Sequence, residues 1–304
     1  MEKMENVLEN VAIIGTGVLG TQISMIAAYN GYKVRIYDVN QDSFAQNLKT
    51  LRDELKSKNV EPIIPWEKWH ECEKSIRREK SIEECIKDAE LVIEAVSEKI
   101  ELKQDIFKRI GEKAMPNAII ATNSSSIPVS RLEASSGRAE YCLNIHFYFP
   151  LQGINIVDVM GGTHTLPEIL ERGVEWVRSL NFIPLTVRKE LLGFCFNRVW
   201  RAIKRETLYM WGNGFVDFKD IDRAWMVFND SIEGPFGIMD KVGLDVVYDI
   251  EMVYYNDSKD PKDYPPEALL EKVKKGELGI KKGKGFYIYP NPEYLESDFL
   301  YSKK

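Results

Sequence analysis

The sequence has no two cysteines close enough to share a metal, and no apolar run long enough to cross a membrane. Cys72, Cys85, Cys142 and Cys195 lie far apart, and none forms a C-x₂₋₄-C pair. Neither a zinc knuckle nor a disulfide framework is indicated, so no metal is expected and reduced, mostly buried thiols in a cytoplasmic protein are the simplest reading. No stretch approaches the ~18 uncharged apolar residues of a membrane span. The first ten residues carry alternating charges without an apolar core, so no secretory signal is expected. Positive charge is not in excess either: 41 Lys and Arg stand against 47 Asp and Glu, a net charge of −6. That argues against a basic field that gathers nucleic acid, while leaving room for a local basic pocket. No internal repeat and no low-complexity segment is found.

What is present is enough chain for two domains, at 304 residues. The N-terminal half alternates β-branched runs with helical stretches, the pattern of a parallel α/β sheet covered by helices. Strands are predicted at Val11–Ile14, Val34–Tyr37, Leu91–Ala95, Ala118–Thr122, Leu143–Phe147, Ile154–Val159 and Ile183–Val187. Helices are predicted at Val18–Tyr29, Gln41–Leu55 and Pro167–Ser179. Asn59–Trp69, rich in Pro and Trp, reads as an excursion from the sheet. From about residue 189 the pattern becomes helical, over Phe194–Trp211, Phe218–Phe228 and Asp245–Tyr255, until a last predicted strand at Gly285–Tyr289. The expected domains are therefore 1–188 and 189–304. The second has apolar faces wider than its own core requires, which fits a homodimer built through it.

Gly15-Thr16-Gly17-Val18-Leu19-Gly20 is a G-x-G-x-x-G run between a predicted strand and a predicted helix. Gly15 permits the tight turn, Gly17 lets the backbone approach a pyrophosphate, and Gly20 lets helix and strand pack closely. The helix N-terminus then offers free N–H groups to the phosphates. A lone run of this kind is weak evidence, but Asp38 ends the second strand eighteen residues beyond Gly20. A carboxylate there binds both ribose hydroxyls and repels a 2′-phosphate, so the cofactor read from this unit is NAD rather than NADP.

Histidine is scarce, with three in the chain. His70 and His164 read as surface residues. His146 falls in an apolar run at the C-terminal end of a predicted strand, the edge at which open α/β sheets bind ligands. Taken alone it is read first as a core histidine bonded to backbone. Two neighbours add to it. Thr122 runs into Asn123-Ser124-Ser125-Ser126, a hydroxyl cluster at the same edge, otherwise a helix cap. Asp158, twelve residues past His146 and across one turn, can hydrogen-bond the imidazole.

With these residues in view the sequence resembles the L-3-hydroxyacyl-CoA dehydrogenases. GTGVLG, the Leu91–Glu98 segment, Thr122-Asn123-Ser124-Ser125, the His146 strand, Gly193-Phe194-Cys195-Phe196-Asn197-Arg198, Gly234-Pro235-Phe236 and Gly283-Lys284-Gly285-Phe286-Tyr287 occur in that family's order over nearly the whole chain. GTGVLGTQIS, TNSS and VDVMGGT are closest to its diketoreductase-like branch. The resemblance implies a Rossmann-type doubly wound parallel sheet, then an all-α C-terminal dimerisation domain. It also implies an NAD-dependent enzyme of fatty acid metabolism acting on a small molecule, a 3-hydroxyacyl-CoA thioester. It makes His146 the general base, Asp158 the residue that orients it, and Ser125 and Asn197 the holders of the substrate oxygen. Glu98, Lys103 and Lys281 match positions that contact NAD, beside Gly15, Gly17, Val18, Leu19, Gly20 and Asp38.

The chain departs from the family pattern at three points. The partner of the histidine is usually Glu, and Asp158 is one methylene shorter. The family continues His-Phe-Phe with Asn-Pro, whereas this chain reads His146-Phe147-Tyr148-Phe149-Pro150 and lacks that polar contact. By ungapped counting from Asp38, the family's Ser and Lys contacts to CoA fall on Glu54 and Glu61, unless Trp66, Lys68, Arg77 or Arg78 serves instead. Two other readings therefore stand beside the first: the same chemistry on a free β-keto, diketo or hydroxy acid, and a non-catalytic NAD(H)-binding sensor or structural protein.

Overall fold

The computed structural model describes residues 8–151 and 153–301, and the first seven residues read above lie outside them. The chain divides into two compact units, the first ending at Cys195 and the second beginning at Phe196.

The first unit is built on β1 (Asn10–Ile14), α1 (Val18–Tyr29), β2 (Lys33–Tyr37), α2 (Ser43–Ser57), α3 (Trp66–Ser75), β3 (Arg77–Arg78), α4 (Ile82–Ile86), β4 (Leu91–Glu94), α5 (Ile100–Lys113), β5 (Ile119–Thr122), β6 (Cys142–Phe147), β7 (Ile156–Gly161), α6 (Pro167–Ser179) and β8 (Ile183–Val187). The strands form one eight-stranded sheet in the order β3-β2-β1-β4-β5-β6-β7-β8. Pairings from β3 to β6 are parallel, β6 and β7 are antiparallel, and β7 and β8 are again parallel. This is the expected Rossmann-type doubly wound sheet, with a reversed pair at one edge.

Alternation sends successive side chains to opposite faces. Val11, Ile13, Leu91, Ile93, Ile119, Ala121, Leu143, Ile145, Val157 and Val159 share one apolar core with α1, α2, α3 and α6. The other face buries Ala12, Ile14, Val92, Ile120 and Cys142 against α4 and α5. On that second face the C-terminal strand ends turn polar: Glu94 is in register with Thr122, Thr122 with Asn144, and His146 with Asp158. The reversal of β7 is what sets Asp158 opposite His146, since facing residues of an antiparallel pair project to the same side.

The Asn59–Trp69 excursion corrects in part to helix. Pro65 supplies the extended residue before α3, and Trp69 and Cys72 are buried in the first core. Three of the four cysteines are buried, and Cys195 is exposed.

The second unit comprises α7 (Phe196–Gly212), α8 (Phe218–Asn229), α9 (Pro235–Val242), α10 (Leu244–Ser258) and α11 (Glu267–Lys274). Its core gathers Leu208, Phe236, Met239, Leu244, Val247, Leu269 and Phe286. The strand predicted at Gly285–Tyr289 is not one. Only isolated bridges, Gly279 with Lys284 and Lys284 with Ile288, form there. The buried carboxylate of Asp240 takes the Phe286 and Tyr287 N–H groups, which a neighbouring strand would otherwise have bonded. No helix of the described residues is long and apolar enough to cross a membrane.

Candidate active site

Two features meet at the C-terminal edge of the sheet. The first is the glycine turn between β1 and α1. Gly15 has φ +98°, where L side chains are strained, and a Cβ on Gly20 falls 2.0 Å from the Gly15 carbonyl oxygen. A Cβ on Gly17 meets nothing within 4 Å, so the turn keeps open space on its outer side. Gly17 is the N-cap of α1 and offers no side-chain cap, and no acidic residue sits in the first turn. The first amides of α1, at Val18 and Leu19, are therefore available to an anion, as a pyrophosphate requires. Asp38 closes the turn, with Oδ2 accepting from the Thr16 N–H at 2.7 Å and Oδ1 from the Asn40 N–H at 2.9 Å. These residues fit a dinucleotide.

The second feature is a cavity of about 160 Å³ whose walls include Leu19, Val96, Glu98, Lys103, Ser125 and His146. The floor beside it is a buried polar network. Lys103, 1% exposed, donates to Glu94 Oε1 at 2.7 Å, while Thr122 donates to Glu94 Oε2 at 2.8 Å. Burial pushes the Glu94 carboxyl above its ordinary value, against the opposing pull of Lys103. Glu98 accepts from the Ser124 hydroxyl at 2.7 Å and the Ser125 N–H at 3.3 Å. Ser124 also accepts from the Ile127 N–H at 2.9 Å and closes a turn there, but the short 3₁₀ helix that follows, Val129–Arg131, has Pro128 at its N-cap and no side-chain cap, so the cluster is not a helix cap.

His146, 5% exposed, places Nδ1 3.2 Å from Asp158 Oδ2, and Asp158 is fully buried. Phe147 N–H, one residue on, donates to Asn123 Oδ1 at 2.9 Å and ties β6 to the loop after β5. Phe194 stacks on the imidazole at 4.7 Å with an 8° interplanar angle, and Tyr148 meets it edge-on at 4.6 Å. Phe194 takes φ +53°, a conformation uncommon for a bulky residue.

The structure thus brings Ser125, His146, Glu98, Lys103 and Leu19 to one cavity, with Asp158 behind His146. Asn197 is the second residue of the C-terminal unit, at the start of α7. Lys281 also belongs to that unit, where its ammonium pairs with Asp245 at 2.6 and 2.7 Å. Of the residues counted toward a CoA contact, Glu54 pairs with Lys58 at 2.6 Å on α2, and Glu61 is exposed. Lys68 pairs with Glu71, Arg77 with Glu79, Arg78 lies over Phe44, and Trp66 stacks on Trp69. Sequence reasoning missed Glu94 as the buried partner of Lys103, and Tyr148 and Phe194 as the rings around His146. A glutamate inside an otherwise apolar strand, nine residues before a lysine, was the available signal for the first.

Two family models match the chain: 3-hydroxyacyl-CoA dehydrogenase, NAD binding domain, over residues 10–191, and 3-hydroxyacyl-CoA dehydrogenase, C-terminal domain, over residues 193–289. A 3-hydroxybutyryl-CoA dehydrogenase of Bradyrhizobium diazoefficiens is 29% identical, covering 94% of this chain and 97% of the relative. Among solved structures, a diketoreductase is 33% identical with a TM-score of 0.81, covering 93% of this chain and 99% of the other. The (S)-3-hydroxybutyryl-CoA dehydrogenase of Ralstonia eutropha superposes with a TM-score of 0.83 at 28% identity, covering 94% of this chain and 100% of the other.

Proposed function

The chain belongs to the 3-hydroxyacyl-CoA dehydrogenase family of NAD-dependent oxidoreductases, and on that premise we propose that it interconverts a 3-hydroxyacyl-CoA and a 3-ketoacyl-CoA with His146 as acid–base catalyst. The observation that carries the reading is the His146–Asp158 pair across β6 and β7, beside the cavity that Ser125 also lines. Bound NAD supplies the hydride acceptor for oxidation and, reduced, the donor for reduction. The Gly15–Gly20 turn and the α1 amides hold the pyrophosphate, and Asp38 holds the adenosine ribose. Glu98, Lys103 and Lys281 would supply further contacts to NAD. Asp158 occupies Nδ1 of His146, so Nε2 exchanges the proton of the substrate 3-hydroxyl. Ser125 and Asn197 hold that oxygen while its charge changes.

A second reading keeps this chemistry on a free β-keto or diketo acid. Glu54 and Glu61 favour it, because carboxylates facing a CoA phosphate are repulsive, as does the similarity to a diketoreductase. We also propose a homodimer formed through the helical unit, supported by exposed Val246, Ile250 and Val253 at helical spacing on α10. Light scattering of the purified chain tests that assembly.

The substrate test is NADH oxidation at 340 nm with acetoacetyl-CoA, free acetoacetate and a 3,5-diketo ester in parallel. Turnover of the thioester alone is the expected result. Turnover of only the free compounds moves the chain to the second reading. Silence on all three with NADH binding intact refutes both and leaves the sensor.

A further inference from the structure

The Asp158 carboxylate is fully buried and meets three donors, all within the N-terminal unit. Oδ2 takes both His146 Nδ1 and the Tyr148 hydroxyl, and Oδ1 takes the Cys195 N–H at 3.2 Å. The Tyr148 hydroxyl and the Cys195 N–H donate to this carboxylate. In the tautomer with its proton on Nδ1, His146 donates to it as well and keeps the Nε2 lone pair. Phe194 on one side and Tyr148 on the other clamp the imidazole, while the phenol of Tyr148 reaches the same oxygen as Nδ1.

This corner holds two of the chain's departures from its family: Asp where Glu is usual, and Tyr two residues past the histidine. The geometry connects them. A side chain shortened by one methylene leaves its carboxylate with less reach toward the imidazole, and a donor on its flank fixes the rotamer that still makes the bond.

We propose that Tyr148 is a positioning residue for the His146–Asp158 pair, its hydroxyl locking the Asp158 carboxylate against Nδ1 in place of the reach a Glu would supply. The inference rests on the acid–base role given to His146 above. It assigns Tyr148 no proton transfer of its own.

Tyr148→Phe keeps the ring against His146 and removes only the hydroxyl. It is expected to lower kcat about tenfold, what a hydrogen bond to a charged group is worth when lost in the transition state. KM and NADH affinity are expected to hold. Asp158→Glu alone is also expected to lower kcat, because the longer side chain meets the hydroxyl. The double variant Tyr148→Phe/Asp158→Glu is expected to recover to within roughly threefold of the parent, given the coupling of groups in contact. A silent Tyr148→Phe, or a double variant no better than the product of the single effects, overturns the proposal. If Tyr148→Phe does not fold, Asp158→Glu carries the test, and an unaltered kcat there overturns it.

A readout without substrate separates this inference from the functional one. With three histidines in the chain, ¹⁵N-histidine labelling resolves the His146 ring. The parent is expected to show the single Nδ1–H tautomer and Tyr148→Phe a mixture. A variant that keeps the single tautomer refutes positioning, whereas normal turnover by His146→Gln refutes the functional reading instead.

Discussion

The buried pair under the cavity gives the sharpest stability test. Lys103 and Glu94 have side chains 1% and 0% exposed and stand 2.7 Å apart. The other carboxylate near Lys103, on Glu98, is 3.8 Å away and 43% exposed, so it compensates weakly. Glu94→Gln preserves shape and one acceptor oxygen but leaves the Lys103 ammonium buried without its counter-charge. Breaking a buried pair from one side costs about 3–5 kcal/mol, a large share of a domain stability of about 5–15 kcal/mol. At about 2–4 °C per kcal/mol for a unit of this size, the melting temperature should fall by roughly 6–20 °C. Lys103→Met strands the carboxylate instead, and there the sign with pH is fixed. Burial already pushes Glu94 up, and Lys103 is the first of the groups pulling it down. Without Lys103 the folded variant holds that proton more tightly than the unfolded chain does, so its stability rises as pH falls. The deficit against the parent should be larger at pH 8 than at pH 5. Circular dichroism melts across that range measure both effects. Melting within about 2 °C of the parent for both variants, or a Lys103→Met deficit that ignores pH, would refute the claim that this pair holds the site's floor.

Three further outcomes are expected. Asp38→Ser should improve NADPH use relative to NADH, because the carboxylate that repels a 2′-phosphate is gone; unchanged preference in paired kcat/KM measurements means Asp38 does not read the ribose. Gly20→Ala should abolish NADH binding, seen by fluorescence titration, because its Cβ lands 2.0 Å from the Gly15 carbonyl oxygen and forces the turn open; retained affinity contradicts the packing role of Gly20. In the C-terminal unit, burial raises Asp222 to about 6, opposed by N–H groups of Phe236 and Gly237 and the Tyr287 hydroxyl. Its stabilising contribution is full below the unfolded value near 3.8 and is lost as pH rises through about 6, a change of roughly 3 kcal/mol. Urea titrations at pH 5 and 7.5 should show about 1.4 kcal/mol of that fall in the parent and less of it in Asp222→Asn, and equal slopes would assign the fall elsewhere.

What was legible in the sequence was whatever depends on local spacing. The glycine turn declares itself because strand, turn, helix and terminal Asp38 follow one another within thirty residues. His146 and Asp158 were legible as a pair because twelve residues and a turn suffice to bring two strand positions face to face. The roles of Phe194 and the Cys195 N–H were not, because they depend on where a distant turn folds back onto β6 and on a positive φ at a bulky residue. The Lys103–Glu94 pair is hidden likewise, since a lysine on a helix reads as solvated until the helix is docked. Gly285–Tyr289 misled for the opposite reason: its composition suits a strand, but Asp240 satisfies its amides and no strand ladder forms. Asn197 and Lys281 lie in the second unit, far in sequence from the His146 edge.

In the proposed function His146 moves the proton while other residues hold the cofactor. The direct measurement is kcat for acetoacetyl-CoA reduction by the parent and His146→Gln, with NADH affinity titrated on the same samples. The expected result is a kcat lowered by roughly 10²–10⁴ with NADH affinity nearly unchanged, the factor general acid–base catalysis supplies. Turnover that survives the substitution would contradict the account.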